Sequence, residues 1–104
     1  MVCRNGNILR LHVEGVPLGL LEHRDYDEVR FQAQKDDLLV LFSDGVTDHL
    51  NCNGEEYGRE RVAEMLRQNC SLSVHEIVDR IFADLDAFNT ERYDDQTLIV
   101  MRVR

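Results

Sequence analysis

An α+β fold, a mainly antiparallel β-sheet with a pair of helices packed on one face, is predicted by three features of the chain. Apolar residues alternate with period two in its first third, two amphipathic segments at helical spacing occupy residues 59–88, and an apolar strand closes it. The length of 104 residues fits one domain spanning 1–104, and 43% hydrophobic with 31% charged residues is ordinary for a soluble globular chain.

In the stretch NILRLHV (7–13), Leu9, Leu11 and Val13 alternate with Arg10 and His12, the signature of a half-buried strand. YDEVRFQAQ (26–34) repeats the pattern, with Val29, Phe31 and Ala33 on one face and Glu28, Arg30, Gln32 and Gln34 on the other. The intervening EGVPLGLLE carries the only proline, Pro17, and reads as an irregular connection. Lys35-Asp36-Asp37 makes a turn, after which Leu38 to Phe42 is a continuous apolar run suited to a central strand buried on both faces.

NCNGEEYG (51–58) is turn-rich, and from Arg59 the spacing becomes helical, with Val62, Met65 and Leu66 on one stripe ending near Asn69. The next helix opens on a capping box, Ser73 and Glu76, and its apolar stripe is Val74, Ile77, Val78, Ile81, Phe82, Leu85 and Phe88. Glu76, Asp79, Arg80, Asp84 and Asp86 make its polar face. Asn89 to Tyr93 break the helix, and a last strand is expected from Thr97 to Val103, giving the order β-β-β-α-α-β.

The net charge of −8 and a pI near 4.8 argue against a nucleic acid or an anionic membrane as partner, since no Lys/Arg cluster offsets the repulsion. Cations are the natural complement. Cys3, Cys52 and Cys70 are odd in number and contain no CxxC pair, which argues against a disulfide framework or zinc knuckle and for a reducing cytoplasm. No leader-like segment opens these residues, and no run approaches the roughly 18 apolar residues that span a bilayer. Asn69-Cys70-Ser71 fits a glycosylation sequon, but nothing else suggests secretion.

Two acidic features stand where strands end. Asp44 follows the apolar run in LLVLFSDGVTD, and Asp94-Asp95 immediately precedes the last strand. If the two strands are antiparallel neighbours, the end of one lies beside the start of the other and the carboxylates converge. Hard divalent cations such as Mg²⁺ and Mn²⁺ take oxygen ligands, and a carboxylate at a strand end is held rigidly while facing water. Gly45 would let the backbone turn sharply there. The plain alternative is that SDG and YDDQ are turns, for which Asp and Gly are favoured locally.

DLLVLFSDGVTDHLNCNGEEYGRERV together with YDDQTLIVMRV resembles the C-terminal half of the SpoIIE/RsbU-like protein serine/threonine phosphatases, the bacterial branch of the metal-dependent PP2C (PPM) family. VEGVPLGLLEHRDYDEVRF is similar to the family's Gly-x-Pro-Leu-Gly segment. The resemblance implies part of a PP2C-like β-sandwich with flanking helices. It also implies that Asp44 stands at the position of the Asp-Gly metal ligand and Asp94 at that of the last metal-binding aspartate. Gly45 then belongs to the ligand motif, and Asp95 becomes the neighbour that accepts hydrogen bonds orienting the loop. Asp48 is expected to cap the following turn.

In the family, two Mn²⁺ or Mg²⁺ ions hold a bridging water that attacks a phosphoserine or phosphothreonine ester in signalling phosphoproteins, without a covalent enzyme intermediate. The family's Gly-Asp-x-Tyr/Phe-Asp and Asp-x-x-Gly-His-Gly motifs are missing from these residues. Weak metal binding and little or no hydrolysis by this chain alone are therefore expected. The alternative is a non-catalytic regulatory or protein-interaction module, with self-association through exposed sheet surface.

Other readings fit less well. A haloacid-dehalogenase phosphatase needs an aspartate two residues before that of the Asp-Gly pair, where this chain has Phe42. HLNCNGEEYGRE mimics a calcium loop but opens on His49 and places Glu56 at a normally apolar position, so a glycine turn is the expectation. His49 and His75 are both expected on the surface.

Overall fold

The computed structural model describes residues 1–10, 32–92 and 94–104. Four strands, β1 (Val2–Arg4), β2 (Asn7–Leu9), β3 (Leu38–Phe42) and β4 (Leu98–Arg102), form one antiparallel sheet in the order β2-β1-β3-β4. Three helices, α1 (Asp44–Thr47), α2 (Arg59–Asn69) and α3 (Val74–Phe88), lie between β3 and β4 in the chain. The α+β prediction holds, with α2 starting and stopping where the periodicity placed it.

β1 and β2 form a hairpin whose turn is Asn5-Gly6, both at positive φ (51° and 79°). That pair of left-handed residues matches the right-handed twist of the flanking strands, which is why Asn-Gly is favoured in such turns. The alternation from residue 7 is carried by Asn7–Leu9 among the described residues, but with the opposite face inward. Ile8, opposite Cys3, packs on the core, whereas Leu9 is exposed. The strand expected over 26–34 lies largely outside the described residues, and 32–34 carry no strand.

β3 sits between β1 and β4, pairing with β4 from Leu38↔Arg102 to Phe42↔Leu98. It is central in the sheet but not buried on both faces, which corrects the expectation from its unbroken apolar run. Leu38 and Val40 are fully buried on the side facing the helices, while Leu41 is 56% exposed on the other. Among the described residues α2 and α3 cover one face, that of Leu38 and Val40. Ile99 and Met101, paired with Leu41 and Leu39, are exposed on the same open side.

The core is the layer between sheet and helices: Cys3, Leu38 and Val40 meet Val62 and Leu66 of α2 and Ile77, Ile81 and Leu85 of α3. Burying such aliphatic side chains contributes roughly 1.5–3 kcal/mol each. α3 begins as its capping box requires, with the Ser73 hydroxyl accepting from the Glu76 amide at 3.2 Å and donating to its carboxylate at 3.1 Å. Arg102, on the helix side of β4, donates to the carbonyls of Cys70 and Leu72 at 2.6 and 3.1 Å. It thereby satisfies acceptors that the end of α2 leaves open. All three cysteines are free, and burial first, with the Cys70 thiol second, pushes the Cys3 thiol up.

A charged residue anchors the strand before β3. Asp37 is 1% exposed and receives a forked pair of hydrogen bonds from Arg4, at 2.9 and 2.8 Å, plus one from the Gln34 amide at 2.8 Å. The Arg4 guanidinium, seconded by that amide, holds the Asp37 carboxyl down at about 2. Because this folded-state value is depressed, the stability it confers is complete above the ordinary aspartate range and drains away as pH falls through about 2. Denaturant midpoints measured between neutral pH and pH 2 are expected to show this loss in the native chain. Asp37→Asn is expected to be destabilised at neutral pH and to lack that component of the acid dependence; an identical acid profile would refute the assignment.

Candidate metal centre

The junction of β3 with β4 is built from Ser43. β3 leaves the ladder after Phe42, yet its hydrogen bonding continues one step further, the Ser43 amide donating to the Thr97 carbonyl at 3.0 Å. The Ser43 hydroxyl accepts from the Thr97 amide at 2.9 Å and donates to the Asp95 carbonyl at 3.3 Å. Ser43 is also the N-cap residue of α1, but its side chain makes no capping bond because it is engaged across the sheet edge. The strand end is thereby tied to the loop that leads into β4.

Asp44 is the first residue of α1, and α1 is closed by the Asp48 amide and Thr47 hydroxyl, which both donate to the Asp44 carbonyl at 2.8 and 3.3 Å. Asp48 thus ends α1 through its backbone. The Asp44 side chain is exposed and has no hydrogen-bond or ion-pair partner among the described residues. Gly45 follows inside the helix, so the sharp turn expected of it is not what it provides. It provides closeness: a Cβ there would stand 1.9 Å from the Asp95 carbonyl oxygen and 3.6 Å from the Asp94 Cβ. Any side chain would collide with backbone.

The Asp44-Gly45 step is packed against the Asp94-Asp95 step. One Asp94 carboxylate oxygen accepts from the Asp95 amide at 2.8 Å. Asp95 accepts the Ser43 hydroxyl at its backbone carbonyl and donates its amide to Asp94, so its part in tying the loops runs through the backbone. Gln96 completes the junction, its amide donating to the Gly45 carbonyl at 3.3 Å while its own Oε1 is buried without a protein partner. Such an orphaned acceptor calls for a water or another donor in the junction. Among the described residues no group of three or more His, Cys, Asp or Glu side chains that could hold a metal ion assembles. Carboxylate oxygens are the donor type that Mg²⁺ or Mn²⁺ takes, commonly with several waters kept.

The far end of the loop is anchored by a residue misread from sequence. His49 is 4% exposed, not on the surface, and its Nε2 lies 3.1 Å from the Leu85 carbonyl and 2.9 Å from that of Asn89. Two carbonyl acceptors at one ring nitrogen place the proton on Nε2. The ring is buried because it seats on the C-terminal end of α3, adding a donor to the Leu85 carbonyl, which already accepts the Asn89 amide, and to the carbonyl of the C-cap residue Asn89. No sequence signal marks this, since the partner lies 40 residues away. His75 is exposed, as expected.

Beside His49, Tyr57 is buried, packs edge-on against Phe88 with ring centroids 5.4 Å apart, and donates to Asp84 at 2.6 Å. Arg61 grips the same carboxylate with two bonds and lies 4.9 Å from the Phe88 ring centre. Burial, then the Asp84 carboxylate, push the Tyr57 phenol up, and Arg61 holds the Asp84 carboxyl below its usual range. Asp84 is thus a partly buried anchor on a helix face that reads as simply polar. The stretch resembling a calcium loop is a turn, in which Asn51 Oδ1 accepts from the amides of Asn53 and Glu55 and Gly54 takes φ 78°.

An α+β domain with a carboxylate pair at one sheet edge is the class that fold and site define. The profile of the family "Stage II sporulation protein E (SpoIIE)" matches residues 1–104, and the chain belongs to that family. It is 34% identical over 95 residues to a protein of Bacillus subtilis (strain 168) named phosphoserine phosphatase RsbU, covering 88% of this chain and 28% of that protein. It is 25% identical over 105 residues to stage II sporulation protein E of Priestia megaterium, covering 97% of this chain and 17% of that protein. The chain thus spans under a third of the length of either relative. No solved structure matches. No helix among the described residues is long and apolar enough to cross a membrane.

The Gly45 contact gives a direct test of the junction. Gly45→Ala is expected to cost about 1–3 kcal/mol of stability, as forced overpacking does. Its signature is loss of order at the start of β4, read as faster amide exchange at Thr97 and Leu98. Unchanged exchange and stability would show that the two loops are not packed as described.

Proposed function

We propose that this chain is the C-terminal portion of a metal-dependent protein phosphatase domain that hydrolyses phosphoserine or phosphothreonine in bacterial signalling, in a reducing cytoplasm. Asp44 and Asp94 are read as ligands of one Mn²⁺ or Mg²⁺, with Gly45 and Asp95 holding their two loops together. The observation that supports the reading is the packing of Gly45 against the Asp94-Asp95 backbone, which brings the segment bearing the unpartnered, exposed Asp44 against the segment bearing Asp94. Membership of the SpoIIE family and similarity to a protein named phosphoserine phosphatase support the reaction class.

When bound, such an ion lowers the pKa of a coordinated water and neutralises charge on phosphoryl oxygens. The chain's own residues fix the backbone that carries Asp44 and Asp94 through the β3–β4 ladder and the Ser43 bonds, so that only side-chain ordering is left for the moment of binding. A single carboxylate pair is a partial site. The isolated chain is accordingly read as weakly metal-binding and nearly inactive, with the remaining ligands supplied by residues outside it.

The open sheet face favours one other reading, a non-catalytic regulatory or interaction module that self-associates through Leu41, Ile99 and Met101, each 45–56% exposed. Calorimetric titration decides the metal assignment. Asp44→Ala and Asp94→Ala are each expected to weaken Mn²⁺ binding by at least the roughly tenfold that loss of a mere outer-sphere partner costs. Unchanged affinity in both variants would sink the assignment. Hydrolysis of a generic phosphate ester, with and without Mn²⁺, separates the two functional readings. Robust metal-dependent turnover by this chain alone would refute the partial site, and a concentration-dependent dimer without metal binding would favour the interaction module.

A further inference from the structure

Two of the three free cysteines come together between the sheet and the helices, at the end of β3 remote from Asp44. Cys3 pairs with Leu38, the first residue of β3, and Leu38 pairs with Arg102, the last of β4, so the three form one row across the sheet. Cys3 and Leu38 are buried against the helices, at 3% and 0% exposed. On the same side, Arg102 donates to the Cys70 carbonyl at 2.6 Å, which holds the end of α2 over that row. Cys70, half-buried, packs against the core cluster that contains Cys3. Its thiol is near enough to act on the Cys3 thiol both through charge and through hydrogen bonding.

A single buried cysteine is a small apolar filler, but a second thiol beside it that solvent can reach makes a reactive pair. The two differ in access. Burial, and then the Cys70 thiol, keep the proton on Cys3, with the Gly6 backbone and Arg102 opposing them. Cys70 therefore reacts first. We propose that Cys3 and Cys70 form a modification site, a thiol pair that closes to a disulfide when a low-molecular-weight disulfide supplies the oxidising equivalents. The Cys70 thiolate attacks one sulfur of that reagent, breaking its S–S bond and expelling one thiolate. Cys3 then gives up its proton and its sulfur attacks Cys70 Sγ, forming the protein disulfide and expelling the second thiolate. Two protein thiols are oxidised, one external disulfide is reduced to two thiols, and the two protons pass from the protein to those products. The bond staples β1 to the end of α2, where sheet and helix layer are otherwise held by packing and by Arg102. In a reducing compartment such a bond is of the transient, sensing kind.

The test incubates the intact, reduced protein with oxidised glutathione and maps its peptides under non-reducing conditions. The peptide containing Cys3 is expected joined to the one containing Cys70, with Cys52 free or carrying glutathione, and dithiothreitol should reverse the change. The urea midpoint should rise on oxidation, because the cross-link restricts the unfolded chain. Cys52→Ser should oxidise as the native chain does, whereas Cys3→Ala should stop at a glutathione adduct on Cys70. The same oxidation in urea should lose the selectivity and link Cys52 as well. A folded native chain that keeps both thiols, links Cys52 in preference or joins cysteines only between molecules overturns the proposal. So does a fall in the urea midpoint, which would mean that native geometry must be broken to make the bond.

Discussion

The contact on which the site depends is between Gly45 and the Asp95 carbonyl. A hydrogen where every other residue has a carbon lets two backbone segments touch, and the 1.9 Å separation that a Cβ would have from that oxygen shows how little room there is. Close approach alone would leave the loops free to slide. The Ser43 hydroxyl prevents that, because it accepts from one residue of the β4 approach and donates to another. The register Phe42↔Leu98 then extends through Ser43 and Thr97, and the position of Asp44 relative to Asp94 is inherited from the ladder.

The other side of Asp44 is held from a distance. The segment leaving α1 is secured at His49, whose ring occupies the carbonyl end of α3, and at Tyr57, whose hydroxyl reaches Asp84 on the same helix. Between them the Leu50↔Glu56 bridge closes the loop, and the Tyr57 amide donates back to the His49 carbonyl. The loop that bears the exposed carboxylate is thus pinned by the sheet at one end and by α3 at the other. Buried aromatic and charge-assisted contacts resist local opening better than exposed loop hydrogen bonds do. This is the arrangement required of a carboxylate that must face water without moving.

How much of this was legible in the sequence follows from how local each cause is. The helices were readable because their signals lie within a few residues of one another: the capping box Ser73/Glu76 and the three- and four-residue spacing from Ile77 to Leu85 are decided inside the segment. The approach of the Asp44-Gly45 step to the Asp94-Asp95 step was readable because it needs only that two strands be antiparallel neighbours. The face of β3 was not, since LLVLF is apolar at every position and its pattern carries no information about which side the helices cover. His49, Asp37 and Asp84 were missed for a common reason: each is wholly or partly buried with a partner 40, 33 and 27 residues away respectively, and a titratable side chain in isolation reads as solvated. The Asn5-Gly6 turn was a local signal that the strand alternation beginning at residue 7 overshadowed.

The one-sided covering of the sheet links stability to chemistry. Leu38 and Val40 point toward α2 and α3 and are sealed, whereas Leu41 points away and is not, although both sets come from the same five residues. The sealed side, with Ile77, Ile81 and Leu85 against it, supplies the burial that keeps β3 and β4 in register. The unsealed side ends at Asp44, because a strand alternates its faces and the helix that follows begins at its edge. An apolar wall and an acidic rim therefore adjoin by construction. Arg59 arrives at that rim because Gly58, at φ 81° and bonded to Thr47, turns the chain into α2 there. The register that the sealed face holds therefore carries through Phe42 and Ser43 to the edge where Asp44 stands.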